Sequence, residues 1–258
     1  MTPFKIALFA NHFPGLEVAK FIASQQQDEV CALYLTGENP VNDNSIIGAL
    51  NISPDNIFIG SDIVKQDSHI NWFKQQKFDA IICVYWPWLL GPKIFNSASV
   101  TVNFHPALLP INRGWFPHVH SLIDGSKAGV TIHRIEDGAD TGAIWAQKEI
   151  QILSTETAKD IYDRLQTEIV DLFKVNWGKI KKGEIIPSSQ DESKAIYHAK
   201  KEIEELDLID PEGMYRAKDL INLLRARTFG SRGFAYLRDG DEKIFLKLGL
   251  SKSSKFDQ

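Results

Sequence analysis

The chain has 258 residues, 43% apolar and 24% charged, with 29 Lys plus Arg against 33 Asp plus Glu and a net charge of −4. That composition belongs to a globular fold of one large domain, or one domain with an appendage, and excludes a disordered chain. No apolar run reaches the ~18–20 residues that span a bilayer. The opening MTPFKIALFANHFPG runs into a strand pattern without a cleavage site. Mild acidity argues against nucleic acid as the main partner. Cys31 and Cys83 lie in apolar, strand-like surroundings with no CxxC, so they read as buried reduced thiols of a cytoplasmic protein and not as metal ligands.

Strand-like runs occur at 5–10, 30–35, 80–85, 100–105 and 129–135, with helical patterns at 17–27 and 69–77 between them. The alternation predicts an α/β fold: a Rossmann-like, doubly wound, mainly parallel sheet built from βαβ units. The first strand ends in Asn11-His12-Phe13-Pro14-Gly15, which is a polar turn but neither G-x-G-x-x-G nor a Walker A loop.

Apolar residues Ile161, Leu165, Ile169, Leu172 and Val175 recur at helical spacing, so a helix is expected over 154–181, capped by Ser154 or Thr155. The polar, Pro- and Ser-containing stretch 183–193 then marks a boundary near 190. This divides the chain into a domain at 1–190 and a C-terminal region at 191–258.

That region reads as helices at 194–206 and 216–227, followed by a hairpin within 235–248 turning at Asp239-Gly240. The final SKSSKFDQ is expected to fray. Residues 1–150 hold 10 basic and 14 acidic side chains, and 151–258 hold 19 of each, from the same total. Arg225, Arg227, Arg232 and Arg238 crowd together there, as a solvated surface or as a patch for phosphate.

The informative stretch is 100–150. Asn103 and His105 stand at i and i+2 near the end of a strand, so both project from one face at the carboxyl edge where α/β ligands bind. An imidazole relays protons near neutral pH, and a neutral carboxamide beside it can donate to a developing oxyanion. Asp140 follows the next strand in a loop flanked by Gly138 and Gly142, where a carboxylate can orient a histidine or serve as a turn residue.

The run N-x-H-P-x-L-L-P-x-x-x-G from Asn103, followed by G-V-T-I-H at 129–133 and D-T-G at Asp140, resembles the N10-formyltetrahydrofolate-dependent formyltransferases. The resemblance covers roughly residues 4–185. It implies the α/β fold above, Asn103, His105 and Asp140 as catalytic residues, N10-formyltetrahydrofolate as co-substrate, and no metal. It also implies a pterin held largely by backbone groups of two loops, one with Val84, Tyr85 and Trp86, the other with Arg134, Ile135, Asp137, Gly138 and Ala139.

The N-R-G-W-x-P run at 112–117 and the helix-then-hairpin ending resemble the sugar-nucleotide branch of the family. VYWPWL (84–89) and NHFPG (11–15) resemble members acting on dTDP-4-amino-4,6-dideoxyglucose in O-antigen and lipopolysaccharide synthesis. The acceptor is then a nucleotide-linked amino sugar, contacted by Asn11, His12, Arg113, Trp115 and Arg225. His118 and His120 are expected to line the site or pack, His133 to sit in the strand core, and His69 and His198 at the surface. The exposed hairpin edge at 235–248 suggests a homodimer. A different amine acceptor, including tRNA, and a non-catalytic binding module remain as alternatives. The neutral charge of the last part disfavours tRNA, and the presence of all three catalytic residue types disfavours the binding module.

Overall fold

In the computed structural model, which describes residues 2–253, the elements alternate as expected. β1 (Phe4–Ala10) is buried over its last five residues, as a strand covered on both faces must be. α1 (His12–Ala23) follows, its start capped by Asn11, whose Oδ1 accepts the His12 N–H at 2.9 Å. Then come β2 (Asp28–Leu35), α2 (Pro40–Gly48), β3 (Ile57–Ile59), α3 (Asp67–Gln76), β4 (Ala80–Val84), α4 (Pro92–Phe95) and β5 (Val100–His105). The middle of the chain adds β6 (Arg113–Gly114), α5 (Pro117–Asp124), β7 (Ala128–His133), β8 (Ile144–Ile150) and α6 (Ala158–Lys181). β9 (Tyr197–His198), α7 (Glu202–Glu205), α8 (Ala217–Ala226), β10 (Thr228–Phe229), β11 (Arg232–Gly233), β12 (Tyr236–Asp239) and β13 (Glu242–Phe245) complete it. Residues 254–258, the end of the tail expected to fray, lie outside the described residues.

One seven-stranded sheet runs in the order β3-β2-β1-β4-β5-β7-β8. The pairs from β3 through β5 are parallel, and β5 with β7 is antiparallel. From β1 the chain winds outward to β3, then returns to lay β4 on the other side of β1. The switch point therefore falls between β1 and β4, with Asn11, His12 and Tyr85 at their carboxyl ends, where open α/β sheets form ligand crevices.

An aromatic cluster packs one sheet face: Phe9 stacks on Tyr34 at 4.0 Å between ring centroids and meets Trp86 edge-on at 5.2 Å. His69 belongs to this core and not to the surface. It is buried, bonds the Tyr34 hydroxyl at 2.8 Å and stacks on Trp72. Trp86 is likewise a core aromatic. Both cysteines are free. Cys83 is buried and its thiol is pushed far up by burial, while half-buried Cys31 is raised by burial and then by Glu29.

Two compact units emerge. The first comprises residues up to 105, 130–148 and 166–191. The second comprises 106–129, 149–165 and 192 onward, so residues on both sides of 190 build it.

α6 begins at Ala158, later than the apolar pattern suggested, because Thr157 donates from its N–H (2.8 Å) and its Oγ1 (2.7 Å) to Asp160 Oδ2. That is a cap between a threonine and an acid three residues on. The helix expected over 194–206 is mostly absent. Residues 196–198 are drawn into extended pairing, with Ile196 donating to the Pro110 carbonyl and Arg113 to that of Ile196, and only 202–205 stay helical. In the hairpin, Asp239 pairs with Glu242, so Gly240-Asp241 form the turn, one residue later than expected, with φ of +57° at Gly240. Among the described residues no helix is long and apolar enough to cross a membrane.

The far end of α6 is tied to the start of β2 inside the first unit. Asp28, whose side chain is fully buried, accepts from Trp177 Nε1 at 2.6 Å and pairs with Lys181. Asp28→Ala leaves a buried indole N–H and an ammonium without their acceptor. Urea denaturation is expected to show a loss of roughly 3–5 kcal/mol of stability.

Candidate active site

The geometry begins with β5 and β7. In their antiparallel register Asn103 lies opposite His133, Phe104 opposite Ile132 and His105 opposite Thr131. Residues facing each other across a pair share a side of the sheet, so Asn103 and His133 meet. Asn103 Nδ2 is 3.0 Å from His133 Nε2. His133 Nδ1 is 2.7 Å from the Arg134 carbonyl and must donate to it, which leaves Nε2 as the acceptor for the Asn103 amide. His133, read from sequence as a strand-core residue, is indeed buried, but it also orients Asn103.

Asp140 closes the cluster. Its Oδ1 is 3.3 Å from Asn103 Nδ2 and 3.4 Å from His133 Nε2, and its Oδ2 is 3.3 Å from His105 Nδ1. With the Nδ1 proton directed at Asp140, Nε2 is the basic nitrogen of the His105 ring. His105 is buried.

The loop carrying Asp140 is over-determined. Asp140 has φ of +56° and Gly138 +99°. Gly142 lies so close to Arg134 that a Cβ there would run into the Arg134 carbonyl oxygen. Arg134 donates to the Ala143 carbonyl at 2.8 Å, and Thr141 Oγ1 donates to that of Asp137 at 2.7 Å. Gln190 Nε2 donates to the carbonyls of Asp140 (2.8 Å) and Gly142 (2.7 Å), stapling the loop from 50 residues away in sequence. Nothing in the sequence around Gln190 marks it for this task.

The other expected residues divide. Of the two loops implied for the pterin, the Val84 carbonyl already accepts the Asn11 N–H, and Ile135 donates to Thr101 Oγ1. Tyr85 stands just past β4 with φ of +54°. In the second unit, Arg113 is buried and bidentate to Glu192, at 2.9 and 2.6 Å. Arg225 is buried and donates to the carbonyls of Glu156 (2.8 Å) and Leu153 (2.6 Å) and to Asn222. Arg227 is buried against Asp207. Arg113, Arg225 and Arg227 hold the protein's own chain together, while Arg232 and Arg238 of the expected cluster are exposed. Trp115 is partly exposed, with the Lys200 ammonium over its ring at 4.9 Å.

His198 is half-buried and bonded, through Nδ1 to Glu202 and Nε2 to Asn112 Oδ1, both at 3.0 Å. His120 stacks on it face to face, 3.5 Å apart and 5° from parallel. Together with Glu202 these two rings offer three ligand atoms within 4.8 Å, but lone pairs in two parallel planes do not converge on one ion.

Two comparisons by sequence profile fit this layout. Residues 55–173 match the formyl transferase family, and residues 202–252 match the N-formyltransferase dimerization C-terminal domain. Over these two stretches the chain is similar to the formyltransferases. It is similar to the dTDP-4-amino-4,6-dideoxyglucose formyltransferase of Mycobacterium tuberculosis, 36% identical over 150 residues that cover 58% of this chain. The matched stretch spans 64% of that curated relative's length. It is also similar to the crystal structure of a 4-N formyltransferase from Francisella tularensis, with a TM-score of 0.84 and 25% identity over 96% of this chain and 98% of that one. A formyltransferase from Anoxybacillus kamchatkensis, solved with UDP-4,6-dideoxy-4-formamido-L-AltNAc and tetrahydrofolate, superposes with a TM-score of 0.58 and 25% identity, covering 78% of this chain and 88% of that one.

His118 is buried with its pKa lowered to about 3, mainly by burial and then by His120 and Arg227. His120 is lowered to about 4, by burial and then by His198. Both are neutral in the fold near pH 6.5 and below, where the unfolded chain takes up protons. Stability from them is complete above pH 6.5 and is lost as pH falls toward 4. Thermal melts across that window are expected to fall in Tm, with a shallower slope for His118→Asn.

Proposed function

We propose that this protein transfers the formyl group of N10-formyltetrahydrofolate to the amine of a nucleotide-linked amino sugar, with dTDP-4-amino-4,6-dideoxyglucose as the acceptor, for surface polysaccharide synthesis in the cytoplasm. The observation that carries the reading is the cluster of Asn103, His105 and Asp140 within 3.3 Å contacts at the carboxyl end of β5. The Mycobacterium tuberculosis relative supports the choice of acceptor, and the Anoxybacillus kamchatkensis complex supports a folate donor and a nucleotide-linked 4-amino sugar.

In this reading His105 Nε2 takes the proton that the attacking amine must lose, while Asp140 holds the opposite nitrogen and favours the imidazolium. The Asn103 amide directs both its N–H bonds inward, the one to His133 at 3.0 Å and the longer one to Asp140 at 3.3 Å. The longer bond is the one it exchanges for the formyl oxygen as negative charge develops there. The His105 proton then serves the departing nitrogen. The donor, when bound, supplies an electrophilic one-carbon unit on nitrogen.

Its flat pterin fits between backbone loops rather than among charged side chains. The left-handed turns at Tyr85 and Asp140 and the side-chain-free Gly138 favour such close backbone approach. Val84, Tyr85 and Trp86 of one loop and Arg134, Ile135, Asp137, Gly138 and Ala139 of the other are assigned to it, through their backbone groups. Asn11 and His12 at the switch point contact the hexose. Arg113 and Arg225 are left out of the acceptor site because the fold already uses them. The segment 202–252 mediates a homodimer, as the dimerization profile it matches supports.

Incubation with N10-formyltetrahydrofolate and a panel of nucleotide-linked amino sugars is expected to yield a product heavier by one formyl group from the dTDP-4-amino-4,6-dideoxyglucose arm. Formylation of aminoacyl-tRNA with every sugar arm silent overturns the reading. His105→Ala is expected to lower kcat by roughly 10²–10⁴, the usual worth of a positioned proton acceptor. Asn103→Ala is expected to cost about 10²–10³ in kcat, as loss of one oxyanion donor does. Light scattering is expected to give twice the chain mass.

A further inference from the structure

We propose that Asn42 positions His12 for the amino-sugar acceptor, an inference that rests on the reading that His12 contacts that sugar. His12 has φ of +56°, a left-handed backbone that is strained outside glycine and persists only where neighbours hold it. Asn11 Oδ1 accepts the His12 N–H at 2.9 Å. The Asn42 carboxamide reaches the same residue at both ends, and with its amide turned so that donor meets acceptor its oxygen accepts the His12 N–H and its nitrogen donates to the His12 carbonyl, each at 3.1 Å.

Those two backbone groups belong to the two peptide planes that flank the His12 Cα. A single rigid carboxamide bridging them fixes both planes, and with them the direction of the Cα–Cβ bond. The imidazole so aimed meets the Tyr85 ring edge-on, 6.2 Å between centroids and 89° between planes. Tyr85 stands at the end of β4, so His12 is directed across the switch point from β1.

Asn42 is itself anchored. It lies in the first turn of α2, where its own N–H donates to Asn39 Oδ1 at 3.2 Å. The adjacent Asp43 is buried and its Oδ2 accepts the Gly37 N–H at 3.2 Å, joining the turn to the end of β2. The first turn of α2 thus sets a side-chain direction one strand away, at the end of β1. Only a side chain with both a donor and an acceptor at this reach can do so. Aspartate keeps the acceptor and loses the donor.

Steady-state kinetics with acceptor and donor varied separately test this, using Asn42→Ala, Asn42→Asp, His12→Ala and the double variant His12→Ala with Asn42→Ala. Asn42→Ala is expected to raise the acceptor KM about fivefold to tenfold, the size of one or so net hydrogen bonds. Its kcat and donor KM are expected to stay within about twofold, the scatter of independent sites. Asn42→Asp, nearly the same shape, is expected to fall between Asn42→Ala and the parent. In the His12→Ala background, Asn42→Ala is expected to add nothing further. An Asn42→Ala effect of the same size in both backgrounds, or one confined to kcat or the donor KM, overturns the positioning role. An unchanged acceptor KM in His12→Ala instead overturns the contact between His12 and the sugar, and the two failures are told apart by that single variant.

Discussion

Asn103 and His133 face each other across the antiparallel β5–β7 pair, and the site depends on that register. Side chains alternate between faces with period two, so a slip by one residue would set Ile132 against Asn103 and carry His133 to the other face. β7 is buried along its whole length, so the same slip would exchange the packing of Val130 and Ile132 with that of Thr131 and His133. The apolar residues of the strand thereby enforce the alignment of its polar ones. The tautomer of His133, set by the Arg134 carbonyl, then decides how the Asn103 amide is turned.

Backbone strain recurs around the same edge. His12 after β1, Tyr85 after β4 and Asp140 after β7 are all non-glycine residues with φ near +55°. Left-handed backbone of this kind is held only where several contacts agree. At Asp140 the agreement comes from Gly142 lying on the Arg134 carbonyl and from the two bonds of Gln190. At His12 it comes from Asn11 and Asn42. Each of the three ends a buried strand or sits in a hydrogen-bonded loop, so a small set of side chains can be aimed with little conformational freedom left to lose on binding.

The second unit uses its cations differently from what their crowding suggests. Buried Arg113, Arg225 and Arg227 satisfy Glu192, backbone carbonyls around Glu156, and Asp207. A guanidinium has five N–H donors, and in an interior with many loose carbonyls it is an efficient way of closing loops on one another. A run of arginines in a loop-rich segment therefore says little about a ligand until their partners are known.

The sequence by itself determined the strand order of appearance, the α/β class and the Asn103, His105 and Asp140 candidates. Continuous apolar runs separated by helical spacing have few other solutions, and the resemblance carried by N-x-H-P and D-T-G is local in the chain. α6 starts later than its apolar spacing suggests because Thr157 and Asp160 cap it at Ala158. Tertiary structure alone decided the rest. The turn of 196–198 into an extended segment, the burial of His69 against Tyr34, and the roles of His133, Gln190 and Asn42 all come from partners distant in sequence. Each is a hydrogen bond whose second half lies about 30 to 90 residues away, and local spacing holds no record of which chain segments fold to within 3 Å of one another.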